Sequence, residues 1–392
     1  MKRNITQNIL QELDHPKRKI ILILGQRRTG KTYELKRFLK EEENALYFDL
    51  EDFENRALFT PSVSHLESVI GSKNKSGILL LDEIQYLDNS GSILKLLHDH
   101  FQKLKVVVTG SASFLMLKNI GDSLMGRYFS YPLFPLTLRE IFEIDDKTFS
   151  IGNFPSRLKQ PEISGLLNNI LIYGTLPEVY LESNNNRKKD YLKDYINSLL
   201  FKDILEIEGI RYPGLFKQLL QVLAFQIGQE INPNEIAKKF QIHRKTIMDY
   251  IDLFEKFHIV KILRSFSQNP RKEITKGFKV FFTDIGIRNA LINNFAPLHQ
   301  RNDLGVLFEN FVMNVFDANI HYFSAPYTRY FWRNVSQAEV DLVLENTETG
   351  KLTPIEIKWS KDKLPSRAFR NVYGEKIENE FCVNKDTVWK FI

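Results

Sequence analysis

The chain is poor in cysteine: Cys382 is the single thiol among 392 residues. That scarcity excludes an intrachain disulfide framework and any zinc site built from cysteines, and it fits a reducing cytoplasm. Long apolar runs are missing too. No stretch approaches the ~18 consecutive apolar residues that a membrane span needs, and Met1 to Leu10 carry Asn, Thr and Gln where the apolar core of a secretory signal would stand. The expectation is a soluble cytoplasmic protein with no membrane partner. Charge of one sign is in only slight excess. A net charge of +6 and a pI near 9.0 lean toward an acidic partner such as nucleic acid, yet a few surface lysines would produce the same balance. What is there is ordinary globular composition, 43% hydrophobic and 26% charged. The length exceeds what one hydrophobic core usually supports, so two or three domains are expected.

The apolar run Ile20-Ile-Leu-Ile-Leu24 leads directly into Gly25-Gln26-Arg27-Arg28-Thr29-Gly30-Lys31-Thr32, a complete G-x-x-x-x-G-K-[ST] loop. A buried strand, a glycine-bounded turn and then a helix form the context this phosphate-binding motif requires. Gly25 and Gly30 let the backbone curl so that successive N–H groups point at phosphate oxygens, and the positive end of the following helix adds to the field. Lys31 is placed to reach the β- and γ-phosphates of ATP, and Thr32 offers a hydroxyl to Mg²⁺. The bland alternative, a chance glycine-rich turn, fits poorly with the strand and helix around it.

About fifty residues on, Gly77-Ile-Leu-Leu-Leu-Asp82-Glu83 reads as a second buried strand delivering two carboxylates at its C-terminal edge. Asp82 would hold Mg²⁺, directly or through water, and Glu83 would orient or deprotonate the attacking water. A third strand, Val106-Val-Val-Thr-Gly-Ser-Ala-Ser113, makes Thr109 and Ser111 candidates to sense the γ-phosphate, with simple turn residues as the equal alternative. Arg127 could stabilise transition-state charge, within the subunit or from a neighbour in a ring, or form a structural ion pair. These strands alternate with helical segments, so the architecture is α/β: a parallel sheet with helices on both faces.

Together, the loop, Leu-Leu-Leu-Asp-Glu-Ile-Gln, Val-Thr-Gly-Ser-Ala-Ser and Gly126-Arg127 followed by Pro-Leu-Phe-Pro-Leu resemble the AAA-type P-loop ATPases of bacteria and archaea. In that family the ATPase core is fused to a winged helix and a C-terminal restriction-endonuclease-like module. Tyr173-Gly174 with Leu176-Pro177-Glu178 is similar to the family's Gly-Gly-x-Pro-Glu stretch, with Thr175 in place of the second glycine. The resemblance implies an ATPase core over residues 1–135, a helical lid and linker over 136–228, a winged-helix domain over 229–298 and an endonuclease-like domain over 299–392.

Asn232-Pro233-Asn234-Glu235 is a strong helix start, with an N-cap residue, proline at N1 and glutamate at N3. A second amphipathic helix follows, with Ile247, Tyr250, Ile251 and Phe254 on its core face and Arg244, Lys245 and Asp249 opposite. The pair reads as helix-turn-helix, and the segments after Ile259 and at Phe278–Phe282 as a hairpin wing. His243, Arg244, Lys245, Arg271 and Lys272 would then contact nucleic-acid phosphates, DNA being favoured; a protein-contact module is the competing reading.

Further on, Glu309 lies on a helix, Asp341 begins an apolar strand, and alternation in Pro354-Ile-Glu-Ile-Lys-Trp359 puts Glu356 and Lys358 on one face. Two carboxylates on adjacent strands can bind a divalent metal, and a lysine beside them can activate water. The set resembles the D-x(n)-E-x-K signature of restriction-endonuclease-like nucleases, with Glu309 at the place of their helix carboxylate. A solvated hairpin face, or a nuclease fold that binds DNA without cutting, would carry the same residues. The leading expectation is an Mg²⁺-dependent ATPase coupled to nucleic-acid binding, with metal-dependent nuclease activity as an open addition. The alternatives are a nucleotide-controlled regulatory switch that binds proteins and a homo-oligomeric remodelling ring.

Overall fold

The computed structural model describes residues 3–41, 44–71, 77–110, 124–142, 160–200, 212–267 and 277–391. Ser111, Arg271 and Lys272 therefore lie outside the described residues. The chain divides into two compact units, one formed by Met1–Leu136 with Glu140–Glu143 and Lys256–His258, the other by the rest.

The first unit is built on five parallel strands: β1 (Ile20–Leu24), β2 (Ala45–Asp49), β3 (Ile78–Asp82), β4 (Lys105–Gly110) and β5 (Tyr128–Pro132), in the order β2-β3-β4-β1-β5. Every residue of β1 and β3 is buried, whereas the edge strands β2 and β5 are only partly so. Uninterrupted Ile/Leu runs are what central parallel strands require, because both faces must be covered. One face packs Leu22, Leu24, Leu79, Leu81 and Val108 against Leu66, Ile93, Leu94 and Leu97 of flanking helices. On the other, Ile21, Ile23, Leu80 and Val107 are equally buried. Register sets the site: Ile23 pairs with Thr109, Leu24 with Gly110 and Leu81 with Val108. Since β4 lies between β1 and β3, Thr109 falls between the loop leaving β1 and the carboxylates ending β3.

In the second unit the helix Pro233–Phe240 starts where the sequence indicates, with Asn232 Oδ1 accepting from the N–H groups of Asn234 and Glu235 at 3.1 and 3.3 Å. The helix Arg244–Lys256 buries Ile247, Tyr250, Ile251, Leu253 and Phe254, and Phe216 packs its ring 4.3 Å from that of Phe254. Three antiparallel strands accompany them, β6 (Glu230–Ile231), β7 (Val260–Arg264) and β8 (Phe278–Phe282), in the order β6-β8-β7.

Gly174, at φ +77°, passes so close to Asp284 that a Cβ would meet Oδ1 at 2.1 Å. Thr175 donates only its backbone N–H to Asp284 Oδ2, at 2.7 Å, which is why a threonine is accommodated there. The helix Leu304–Tyr322 then packs with a four-stranded sheet, β12-β11-β10-β9, made of β9 (Tyr327–Arg333), β10 (Glu339–Asn346), β11 (Leu352–Ile357) and β12 (Phe381–Val383). The neighbours β9, β10 and β11 run antiparallel, with a bulge between Val340 and Val343, and β12 joins parallel to β11.

Candidate nucleotide site

The loop after β1 adopts the conformation its glycines permit. Gly30 has φ +97° and Arg28 φ +62°, so the chain twice enters the left-handed region while turning its amides inward. At Gly25 a Cβ would stand 2.4 Å from the Leu133 carbonyl oxygen, leaving no room for another residue. Gln26 and Thr29 are buried, and Thr29 Oγ1 closes the turn by donating to the Gln26 carbonyl at 2.8 Å. Arg27 reaches the Tyr86 hydroxyl at 2.7 Å, and Arg28 is exposed. Lys31, 3% exposed, donates to the carbonyls of Gly25 and Gln26 at 3.3 and 3.2 Å and stands 3.7 Å from Glu83 Oε1. Burial pulls its pKa down, and the Glu83 and Asp82 carboxylates oppose that shift.

Asp82 is 1% exposed, and its oxygens accept from two hydroxyls, Oδ1 from Thr109 and Oδ2 from Tyr47 at 2.9 Å. Burial first, and the adjacent Asp82 next, push the Tyr47 phenol well above its usual range, so it remains a donor. Glu83 sits at φ 56°, ψ 53°, a left-handed conformation uncommon outside glycine, and it turns its side chain toward Lys31. Thr109 Oγ1 fixes this turn by accepting from the Glu83 N–H at 3.0 Å, while Gln85 donates to Glu83 Oε2. Lys31, Asp82, Glu83 and Thr109 thus converge from three adjacent strands. The residues suit Mg²⁺ with ATP: Thr32 stands in the first turn of the helix Lys31–Glu41, and the Asp82 carboxylate takes its hydrogen bonds from neutral hydroxyls.

Arg127 does not join this group. It immediately precedes β5, and its carbonyl accepts from the N–H of Ile20, at the opposite end of β1 from the loop. Four residue steps along the strand separate the two ends by about 13 Å. Its guanidinium is engaged in two hydrogen bonds to Asp99, at 2.9 and 3.3 Å. Within the subunit, then, the geometry is that of an ion pair.

Three residues at the site escape a reading of motifs. Arg3, 4% exposed, donates to the Thr29 carbonyl and to Phe134 O, each at 2.6 Å, and its Nε lies 3.0 Å from Glu140. Tyr47 and Gln85 hold the two carboxylates. Gln85 could have been sought from its position two residues after Glu83, whereas nothing local marks Arg3 or Tyr47.

In the second unit, His243, Arg244 and Lys245 are exposed at the start of their helix. Of the expected set Glu309, Asp341, Glu356 and Lys358, the last three meet around the Lys358 ammonium. Lys358 Nζ bridges Asp341 Oδ2 at 2.8 Å and Glu356 Oε1 at 3.0 Å, and Lys363 adds a second ammonium to Glu356 at 2.9 Å. Glu356 Oε2 is buried with no hydrogen-bond partner among the described residues. Glu309 instead pairs at 3.1 Å with Lys279 of β8, which also contacts Glu339 at 2.6 Å. Among the described residues no three His, Cys, Asp or Glu side chains gather closely enough to hold a metal ion. Lysines thus stand against each of these acids, Lys358 being the one that the sequence signature itself places there.

The loop and the paired carboxylates lie at the ends of strands of one parallel sheet, and residues 17–142 match the family described as "AAA domain". Residues 164–298 and 304–387 match two families described as domains of unknown function, DUF8612 and DUF4143. Over 260 residues the chain is 30% identical to an uncharacterized protein of Methanocaldococcus jannaschii, a match covering 64% of this chain and 58% of that relative's length. It is 24% identical to an uncharacterized protein of Mycobacterium tuberculosis, covering 90% and 73% of the two chains, and 25% identical to one of Haemophilus influenzae, covering 98% and 97%. Among solved structures, it is similar to the Walker-type ATPase PABY2304 of Pyrococcus abyssi at 15% identity and TM-score 0.49, over 74% of this chain and 95% of that one. No helix of the described residues is long and apolar enough to cross a membrane.

Proposed function

We propose that the chain is an Mg²⁺-dependent ATPase whose nucleotide state governs nucleic-acid binding, DNA being favoured, by its second unit. The observation that carries the ATPase reading is the convergence of Lys31, Asp82, Glu83 and Thr109 at the C-terminal ends of three parallel strands. The loop amides and Lys31 bind and orient the phosphates. Thr32 and Asp82 hold the magnesium, which neutralises phosphate charge when bound. Glu83, positioned by Thr109 and Gln85, takes the proton from the attacking water.

For the second unit, two short helices, an antiparallel hairpin and a basic helix start support reading residues 229–298 as a winged helix facing a phosphate backbone. The competing switch, which would bind proteins instead, is separated by one assay. ATP turnover is measured with and without double-stranded DNA, alongside Lys31→Ala. Stimulation of wild type and loss of turnover in the variant support the proposal. Turnover that survives Lys31→Ala contradicts the ATPase reading, and turnover indifferent to DNA favours the switch. Metal-dependent cleavage forms no part of the proposal.

A further inference from the structure

A cleft of about 630 Å³ opens in the second unit among the base of the β7–β8 hairpin, the starts of the helices Pro233–Phe240 and Arg244–Lys256, and the end of β9. Three of its lining residues are arginines from three different elements: Arg244 from the second helix, Arg264 from the end of β7 and Arg333 from the end of β9. Arg244 and Arg264 are exposed, and neither makes a hydrogen bond or salt bridge among the described residues. Arg333 lies 3.6 Å from Glu230 and 3.8 Å from Glu339, too far for hydrogen bonds, and its buried Nε has no hydrogen-bond acceptor among the described residues. Planar guanidinium groups in this condition retain their donors for an incoming ligand. Asn232 and Pro233 place the positive end of their helix on the same wall, which adds to the field. Glu230 is the acid in the lining, set against three arginines, while Glu339 stands behind Arg333 at 3.8 Å and Glu255 within electrostatic range of Arg264.

We infer that this cleft holds the phosphodiester backbone of a nucleic acid, gripped by Arg244, Arg264 and Arg333, so that the C-terminal sheet contributes directly to binding through Arg333. The inference rests on the nucleic-acid reading above and extends it to two arginines on strands that no motif marks. Arginine suits the role because its fork can donate two parallel bonds to one phosphate.

The test is fluorescence anisotropy of a labelled DNA duplex of about two helical turns, titrated with the full chain over a salt series. Single-stranded DNA forms a parallel arm. Arg264→Ala and Arg333→Ala are each expected to weaken binding by about tenfold and to flatten the log–log salt slope by about 1. Arg264→Lys keeps the charge and should restore the slope. Arg367→Ala, an exposed arginine away from the cleft, should bind as wild type does. Thermal unfolding of each variant confirms that the fold is retained. If wild type binds and both cleft variants keep its affinity and slope, the cleft is not the site, although the nucleic-acid reading survives. If wild type shows no salt-dependent binding in either arm, that reading fails and the cleft inference falls with it.

Discussion

Glu83 shows what single residues contribute at this site: its left-handed backbone is sustained by one threonine, which accepts its N–H and donates to Asp82. Thr109→Val keeps the shape but strands both groups, a loss of about 1–3 kcal/mol in stability. Because the displaced groups act on water and metal rather than on the phosphates, kcat should fall about tenfold or more with little change in KM for ATP. Steady-state kinetics check this, and an unchanged kcat would remove Thr109 from the account. Glu309 offers a second residue-scale prediction. Burial, opposed by Lys279 and reinforced by Asp341, pushes its pKa up to about 7 from an ordinary 4.5. A carboxyl raised on folding contributes stability that is complete below the unfolded pKa and is lost as the pH rises through the folded one. Stability of the second unit should therefore decline from about 4.5 to about 7 through this group, and Glu309→Gln should flatten that decline in urea titrations.

At the scale of elements, the nucleotide site was largely legible and its supports were not. The β1 loop and the Asp82-Glu83 pair are local patterns, written in consecutive residues on strands whose apolar runs announce burial. Tyr47 and Arg3 act across the sheet, and which residue lies beside Asp82 depends on strand order, which no local pattern encodes. Arg127 illustrates the same limit. Its place after a helix suggested a part in phosphate chemistry, but strand direction sets it at the far end of β1, beside Asp99.

The strand β8 is buried along its whole length although it contains Lys279, because that lysine meets Glu309 and Glu339 from the helix Leu304–Tyr322 and β10. Without the ammonium Glu309 takes up a proton and both acids lose a donor, so Lys279→Met should destabilise the second unit by about 1–3 kcal/mol. Adding Glu309→Leu should recover much of that loss. Equal destabilisation in the double variant would show that the pairing is not what matters at β8.

For the whole molecule, the glycine-bounded loop and the paired carboxylates lie in the first compact unit, and the three cleft arginines and the lysine-paired acids in the second. The endonuclease-like signature was visible as residue types. The placing of Lys358 beside Asp341 and Glu356 was part of that signature, whereas the pairing of Glu309 with Lys279 was not, since the lysine from β8 lies thirty positions from Glu309. Incubation of plasmid DNA with the full chain and Mn²⁺ should therefore give no cleavage that Asp341→Ala abolishes; cleavage lost in that variant would restore a catalytic metal to the C-terminal module. The central claim, that Glu83 activates water beside a loop-bound ATP, is tested most directly by comparing nucleotide binding with turnover in Glu83→Gln. The account predicts ATP binding close to that of wild type with turnover lowered about 100-fold or more. Wild-type turnover in Glu83→Gln would contradict it.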